Sequence, residues 1–208
     1  SSAASDVYKR QGTISDAFLE LYQAGKLTNA HKELDTGLSA WNFAMGSQEL
    51  YDWLDAEPQL FHPGDLDYIH SVERISKFSN VISINGGVQL DLMGQENAES
   101  TGTRQLSGVG GQMDFLEGAY RSKGGKGFIC INSSRVTKDG ERKSNILATI
   151  PGGSTISAPR TMIQYVATEY GIASLSGKTL RERAEAMASI AHPDFREELM
   201  KYAQENFK

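Results

Sequence analysis

The chain has 208 residues, which is enough to bury a substantial hydrophobic core. Its composition, with 39% hydrophobic and 23% charged residues, is typical of globular proteins. The net charge of −5 argues against a general nucleic-acid-binding protein, because such proteins are usually basic. No apolar run approaches the about 20 residues that a membrane-spanning helix needs, so we expect neither nucleic acid nor a membrane as a partner.

The single cysteine, Cys130, lies in the apolar run Phe128-Ile129-Cys130-Ile131. One cysteine excludes an internal disulfide framework and indicates a reducing, cytoplasmic compartment. A catalytic thiol is one interpretation of this residue. Because nothing nearby in the sequence would lower its pKa, we predict instead a small residue buried in the core.

The chain begins with eleven residues whose pattern does not continue into the first predicted helix. The segment S-D-V-Y-K-R-Q at 5–11 resembles the translation of an adapter used in preparing sequencing libraries. It lacks the apolar core of a secretory signal. We therefore predict that residues 1–11 are an adapter-derived, non-native segment that takes no part in the fold.

Helices and strands are mixed in the first third of the remaining chain. Apolar spacing predicts a helix over 14–24, a strand over 38–44 and a second helix over 47–55 that ends before Pro58. Residues 58–70 are rich in turn-forming residues and are predicted to be a connection.

Strands dominate the middle of the chain, and helices dominate its end. Residues 81–84, 88–92, 128–131, 146–150 and 165–168 are predicted strands, with 128–131 buried on both faces, and 136–144 is predicted to be a polar hairpin around Asp139-Gly140. The sequence T-L-R-E at 179–182 fits a capping box that opens a helix, and Pro193 fits the first turn of another. This mixture predicts an α/β fold.

The glycine-rich sequence S-G-V-G-G-Q-M-D-F at 107–115 is the strongest candidate for a ligand site. Gly108, Gly110 and Gly111 allow positive φ and a close approach of the backbone, and a helix beginning near Gln112 would add its N-terminal partial positive charge. The pattern fails both the dinucleotide fingerprint and the phosphate-binding P-loop. A tight structural turn is the alternative interpretation.

Two long segments resemble the acetyl-CoA hydrolase/transferase family. They are the glycine-rich sequence above and the stretch 157–199, which contains the motifs P-R at 159–160 and T-E-Y-G at 168–171. The resemblance runs from about Ile14 to the end and implies a mixed open sheet flanked by helices, the C-terminal half of a CoA-transferase fold. It is closest to the 4-hydroxybutyrate and butyrate:acetate branch, through D-L-M-G-Q at 91–95.

The resemblance implies a reaction between a short-chain acyl-CoA and a carboxylate such as acetate. Coenzyme A is then a substrate, and no permanently bound cofactor is expected. Family members pass through a glutamyl-CoA thioester, and amides of the glycine loop stabilise the oxyanion that forms when a carboxylate attacks the thioester. On this basis Gly110 and Gly111 are the predicted catalytic positions within the chain.

The nucleophilic glutamate of the family is absent from this sequence. Family members read T-E-x-I-S-D where this chain has Gln11-Gly12-Thr13-Ile14-Ser15-Asp16, so Gly12 stands at the place of the glutamate. We therefore expect residues 12–208 to be the C-terminal domain of a longer enzyme whose N-terminal domain is missing. The chain alone is predicted to be inactive, and the resemblance also leads us to expect a homo-oligomer.

The resemblance adds further candidates for binding coenzyme A. They are Asn85 and Gly87 in S-I-N-G-G-V-Q-L-D-L, together with Gly108, Gly110, Gly111, Gln112 and Lys126. Family members usually have serine where this chain has Gly86. For Asn85-Gly86 a β-turn joining two strands is an equally strong interpretation. Arg121, Lys123 and Lys126 either bind the phosphates or form a solvated loop.

Other polar residues are assigned structural roles. Glu169 and its neighbours are predicted to fix the sheet edge and the final helices, and His192 is predicted to start a helix. The histidines show no metal-ligand spacing, so no metal is expected. Two alternatives to CoA transfer stay open, namely acyl-CoA hydrolysis and a non-catalytic acyl-CoA-binding module.

Overall fold

The computed structural model describes residues 12–207, and the predicted adapter segment 1–11 lies outside them. The chain divides into two compact units. The first comprises the residues up to Val81 together with Arg121–Gly124, and the second comprises Ile82–Tyr120 and Gly125–Lys208. None of the helices within residues 12–207 is both long enough and apolar enough to cross a bilayer.

The first unit consists of short strands and helices around its own apolar core. Its elements are β1 (Thr13–Ile14), α1 (Asp16–Gln23), β2 (Ser39–Trp41), β3 (Phe43–Ala44), α2 (Gln48–Ala56), β4 (Phe61–Pro63), α3 (Leu66–Ile69) and α4 (Val72–Ser76). Strand β1 pairs in parallel with β3, and β2 pairs in parallel with β4. The core contains Ile14, Leu50, Trp53 and Phe61.

Both helices predicted in the first unit are present. Ser47 caps α2 by accepting a hydrogen bond from the Leu50 N–H, as its position before the apolar spacing indicates. The predicted strand is interrupted into β2 and β3, and the turn-rich segment 58–70 contains β4 and α3 as well as turns.

The second unit contains the larger sheet and the C-terminal helices. Its elements are β5 (Ile82–Gly86), β6 (Gln89–Asp91), β7 (Glu96–Asn97), β8 (Ser100–Thr101), β9 (Arg104–Gln105), α5 (Gln112–Arg121), β10 (Lys126–Cys130), β11 (Ser134–Val136), β12 (Arg142–Ser144), β13 (Ile146–Leu147), β14 (Tyr165–Thr168), β15 (Gly171–Ser174), α6 (Leu180–Ser189) and α7 (Pro193–Asn206).

The main sheet has the order β15-β14-β10-β5, with β14, β10 and β5 parallel and β15 antiparallel to β14. A second sheet has the order β13-β6-β7. Strands β11 and β12 form the predicted hairpin, while Thr179 caps α6 in a capping box with Glu182 and Pro193 opens α7. The α/β prediction and the mixed sheet with helices are therefore confirmed.

Strand β10 corrects one prediction. Ile129 is fully buried, but Phe128 is only half-buried and Cys130 is exposed. The strand is thus buried on one face, where Ile129 shares a core cluster with apolar residues of α5 and the C-terminal helices. The prediction that Cys130 is a core residue was wrong.

Candidate functional site

The glycine-rich loop is held at its start by backbone hydrogen bonds. The N–H groups of Leu106 and Ser107 donate to the carbonyl oxygen of Glu99 at 2.6 and 3.3 Å. The side chain of Gln105 donates to the Ser107 carbonyl oxygen at 2.6 Å. The chain therefore enters the loop in a defined position.

Beyond Ser107 the loop is open to solvent. Gly110 has φ +61°, which L side chains rarely adopt, and a Cβ on Gly108 or Gly110 would meet no atom within 4 Å. Within the described part of the chain, the N–H groups of residues 108–111 donate to no protein acceptor. Helix α5 begins immediately after them, at Gln112. The loop thus offers unused amide donors at a helix N-terminus, an arrangement that favours a negatively charged ligand.

Glu96 accepts a hydrogen bond from the residue that follows the loop. Nε2 of Gln112 donates to Oε2 of Glu96 at 2.8 Å, and Glu96 is fully buried. Burial raises the pKa of Glu96 to about 7, although the hydrogen bond from Gln112 opposes the shift, and the nearby carboxylate of Glu99 adds to it. Sequence analysis missed this residue, because a glutamate between Gln95 and Asn97 carries no local sign of burial.

Asn85 and Gly87 lie at the carboxyl end of β5. Nδ2 of Asn85 donates to Oγ of Ser83 at 2.8 Å, and the N–H of Gly87 donates to the Cys130 carbonyl oxygen at 3.3 Å. Strands β5 and β6 belong to different sheets, so the alternative of a hairpin turn at Asn85-Gly86 was wrong. Gly87 adjoins Glu96, which connects this strand end to the glycine loop.

Lys126 is separated from these residues along the sheet. It is exposed at the first position of β10, where it pairs with Ile82, whereas Cys130 at the last position pairs with Gly86. Four residues of extended strand span about 13 Å. The structure therefore brings together Gly87, Gly110, Gly111 and Gln112 at one end of the sheet and leaves Lys126 at the other. Arg121 and Lys123 are exposed.

Gly12, at the place of the family's glutamate, has a defined position in the first unit. Its carbonyl oxygen accepts hydrogen bonds from the N–H groups of Asn42 and Phe43, both at 3.1 Å. A Cβ at this position would lie 3.0 Å from Nε2 of His70 and 3.5 Å from Oδ1 of Asn42. A side chain here would thus point toward polar groups.

The polar residues of the tail have the structural roles that were predicted. The carboxylate of Glu169 accepts hydrogen bonds from Oγ of Ser133 at 2.6 Å and from its N–H at 2.9 Å, so the β14–β15 turn is tied to the segment after β10. Burial raises the pKa of Glu169, but these hydrogen bonds outweigh burial and lower it overall. Nδ1 of His192 accepts from the Asp194 N–H and caps α7.

Comparison with known proteins shows the family to which this chain belongs. The profile of the acetyl-CoA hydrolase/transferase C-terminal domain matches residues 46–203. The chain is 44% identical to a butyryl-CoA:acetate CoA-transferase of Anaerostipes caccae over 91% of its length, and 44% identical to a 4-hydroxybutyrate coenzyme A transferase of Clostridium kluyveri over 93%. These matches cover 42% and 44% of the two relatives.

A solved structure shows the same fold. The crystal structure of RipA from Yersinia pestis superposes with a TM-score of 0.88 at 36% identity, covering 98% of this chain and 45% of that one. The chain thus spans less than half the length of the relatives it matches. The matched profile, the identities and the shared fold together place this chain in the acetyl-CoA hydrolase/transferase family, through the C-terminal domain of that family.

Proposed function

We propose that this chain is part of a CoA-transferase that moves CoA between a short-chain acyl-CoA and a carboxylate such as acetate. The observation that carries the proposal is the row of backbone amides at 108–111, which precedes α5 and donates to no acceptor among residues 12–207; residues 108–110 are exposed and Gly111 is partly buried. Its support is the name CoA-transferase in both relatives at 44% identity.

The chemistry assigned to the loop is stabilisation of negative charge. A glutamate carboxylate attacks the thioester carbonyl, the carbonyl oxygen becomes an oxyanion, and the CoA thiolate leaves to give an acyl-glutamyl anhydride. The thiolate then attacks the glutamyl carbonyl, which releases the first carboxylate and leaves a glutamyl-CoA thioester. The N–H groups of Gly110 and Gly111 are the proposed donors to the oxyanion, and one such donor contributes about 3–4 kcal/mol of transition-state stabilisation.

The complete enzyme that we propose needs two parts that the sequence given does not show. The nucleophilic glutamate takes the place of Gly12, and the N-terminal domain of the relatives completes the site. We further propose that the enzyme is cytoplasmic and forms a homo-oligomer. The single cysteine of the chain supports the cytoplasmic compartment and has no bearing on the oligomer. Sedimentation velocity of the completed protein tests the oligomer.

Restoring the missing parts tests the proposal directly. An N-terminal half from a relative is joined ahead of residue 12, and the variants Gly12→Glu and Gly12→Gln are compared. Transfer of CoA from butyryl-CoA to acetate is expected with Gly12→Glu only, since an amide is a poor nucleophile. Transfer by the 208-residue chain alone, or equal transfer by both variants, contradicts the proposal.

Acyl-CoA hydrolysis is the second candidate, because water in place of the acceptor carboxylate attacks the glutamyl-CoA thioester, breaks its carbon–sulfur bond, and gives free CoA and the regenerated glutamate. The same restored protein separates the two reactions. A transferase consumes thioester only when acetate is present, whereas a hydrolase consumes it at the same rate without acetate. Tight binding of coenzyme A with neither reaction identifies the third alternative, a non-catalytic binding module.

A further inference from the structure

Glu96 is a buried carboxyl group that the proposed reaction does not use. It lies in β7 opposite Leu90 of β6, and its backbone also bridges to Ala158. Its Oε2 atom accepts from Gln112 at 2.8 Å, whereas its Oε1 atom is buried and has no hydrogen-bond partner within the described residues. Burying a polar oxygen without a hydrogen-bond donor lowers the stability of the fold, so the buried location of Oε1 needs an explanation.

The unpartnered oxygen occupies the space above Gly87. A Cβ on Gly87 would lie 2.8 Å from Oε1 of Glu96 and 3.0 and 3.2 Å from the Cγ2 atoms of Ile131 and Ile129. The φ of Gly87 is not in the left-handed region, so its backbone conformation does not require glycine. Glycine is required at position 87 for steric reasons, because the Glu96 carboxyl occupies the space that a Cβ would need.

The surroundings of Glu96 leave its carboxyl little freedom. Oε1 of Glu96 shares the space beside Gly87 with the side chains of Ile129 and Ile131, and the amide of Gln112 from α5 donates to Oε2. The neighbouring charge that acts on it is the carboxylate of Glu99, whose oxygen accepts from Oγ of Ser157 at 2.8 Å. The direct polar contact of the Glu96 carboxyl is therefore the one to Gln112.

Gln112 is the point at which the glycine loop becomes helix. It follows Gly110-Gly111 directly and is the first residue of α5. We propose that Glu96 is a positioning residue, whose carboxyl holds Gln112 and thereby the end of the loop at 108–111, and that glycine at 87 makes room for it. The hydrogen bond between Glu96 and Gln112 does not depend on the proposed function. Only its purpose, which is to keep the loop amides directed at the thioester, rests on that function.

The proposal is tested first in the free chain, without any ligand. Hydrogen exchange is measured by mass spectrometry over residues 108–118 of the 208-residue chain. Glu96→Ala removes the acceptor and Gly87→Ala displaces it, so each is expected to speed exchange about tenfold, the factor that corresponds to a net hydrogen bond of ~1.4 kcal/mol. Glu96→Gln retains an oxygen acceptor and is expected to stay within about twofold of the original chain.

Two comparisons make this result specific. Gly86→Ala is the matched control, because a Cβ there meets nothing within 4 Å, and it is expected to leave exchange unchanged. In the Glu96→Ala background, Gly87→Ala is expected to add nothing, because both changes act through the same hydrogen bond. Additive effects, or exchange over 108–118 that is unchanged in both single variants, overturn the proposal.

Calorimetry with coenzyme A, on the protein completed with glutamate at position 12 and the N-terminal half of a relative, separates this inference from the proposed function. Weaker binding by Glu96→Ala and restored binding by Glu96→Gln support both. If no variant binds coenzyme A but the exchange pattern is as expected, the positioning role stands and the proposed ligand is wrong. If Glu96→Ala fails to fold, Gly87→Ala and Gly86→Ala provide the same comparison without emptying the core.

Discussion

Nε of Arg183 in α6 donates a hydrogen bond of 2.9 Å to the carbonyl oxygen of Met93, 90 residues earlier in the chain. The same guanidinium donates to the carbonyl oxygens of Leu175 at 2.8 Å and Arg160 at 2.7 Å. The side chain lies against Gly94, where a Cβ would be 2.8 Å from Nη2. One buried arginine thus joins the stretch 157–199 to the sequence D-L-M-G-Q at 91–95.

Replacing Arg183 by methionine is expected to lower the free energy of unfolding by about 3 kcal/mol, because one buried and two partly buried carbonyl oxygens lose their donor. Urea denaturation measures the change. Arg181→Met is the matched control on the same helix, since Arg181 is exposed and pairs only with Glu185, and a change within about 0.5 kcal/mol is expected. Equal effects of the two variants would show that the buried contacts contribute little.

Alanine at Gly110 is expected to lower the free energy of unfolding by about 1 kcal/mol, because φ +61° is unfavourable for a residue with a Cβ. Gly108→Ala is the matched control, with an ordinary φ and equal space, and is expected to change stability by less than about 0.5 kcal/mol. Thermal and urea unfolding of both variants check the difference. A stable Gly110→Ala chain would show that the loop adopts another conformation in solution.

The pKa of about 7 at Glu96 predicts a specific dependence of stability on pH. The folded chain keeps this proton until about pH 7, while the unfolded chain releases it near the ordinary value of 4.5, so the unfolded state binds fewer protons in this window. The contribution of this group to the free energy of unfolding therefore falls as pH rises from 4.5 to 7, by about 3 kcal/mol in total, and is level above that.

Glu96→Gln removes that titration. The variant is expected to gain stability over the original chain as pH rises, with the difference reaching about 3 kcal/mol at pH 8 and vanishing near pH 4.5. Urea denaturation at a series of pH values measures it. Glu205→Gln, an exposed change in α7, serves as the control and is expected to leave the pH profile unaltered. A Glu96→Gln profile parallel to the original would mean that the carboxyl titrates normally.

The exposed Cys130 is expected to react with a thiol reagent in the folded chain, at one equivalent per chain. Partial burial raises the pKa of the thiol, so the reaction should be slower at pH 8 than that of free cysteine and should accelerate with pH. Absorbance with an aromatic disulfide reagent follows the reaction, and Cys130→Ser should give none. Reaction only after urea is added would restore the prediction of a core residue.

Much of the local structure was predictable because it depends on residues close together in sequence. The capping box at Thr179 and Glu182 and the proline that opens α7 satisfy backbone groups within one turn. Apolar spacing likewise predicted α1 and α2, and the β-rich run at 165–168 predicted β14. The glycine loop was predicted as a pattern, since positive φ and free amides are properties of the backbone itself.

The residues of the site could be predicted only in part. Gly87 and Gln112 both contact Glu96, but the distance of Lys126 from them depends on strand direction and register, which no local pattern contains. The exposure of Cys130 depends on which face of β10 the helices cover. Neither property can be read from the neighbours of a residue in the chain.

The sequence by itself determined the family, the α/β class, the helix caps and the glycine-rich loop, because each depends on residue types at short and regular spacing. Only the tertiary structure decided that Glu96 is buried against Gly87 and bonded to Gln112, and that Arg183 joins two distant segments. Desolvation and long-range hydrogen bonds arise between residues that folding brings together, and they set the pKa of Glu96 and the position of the loop.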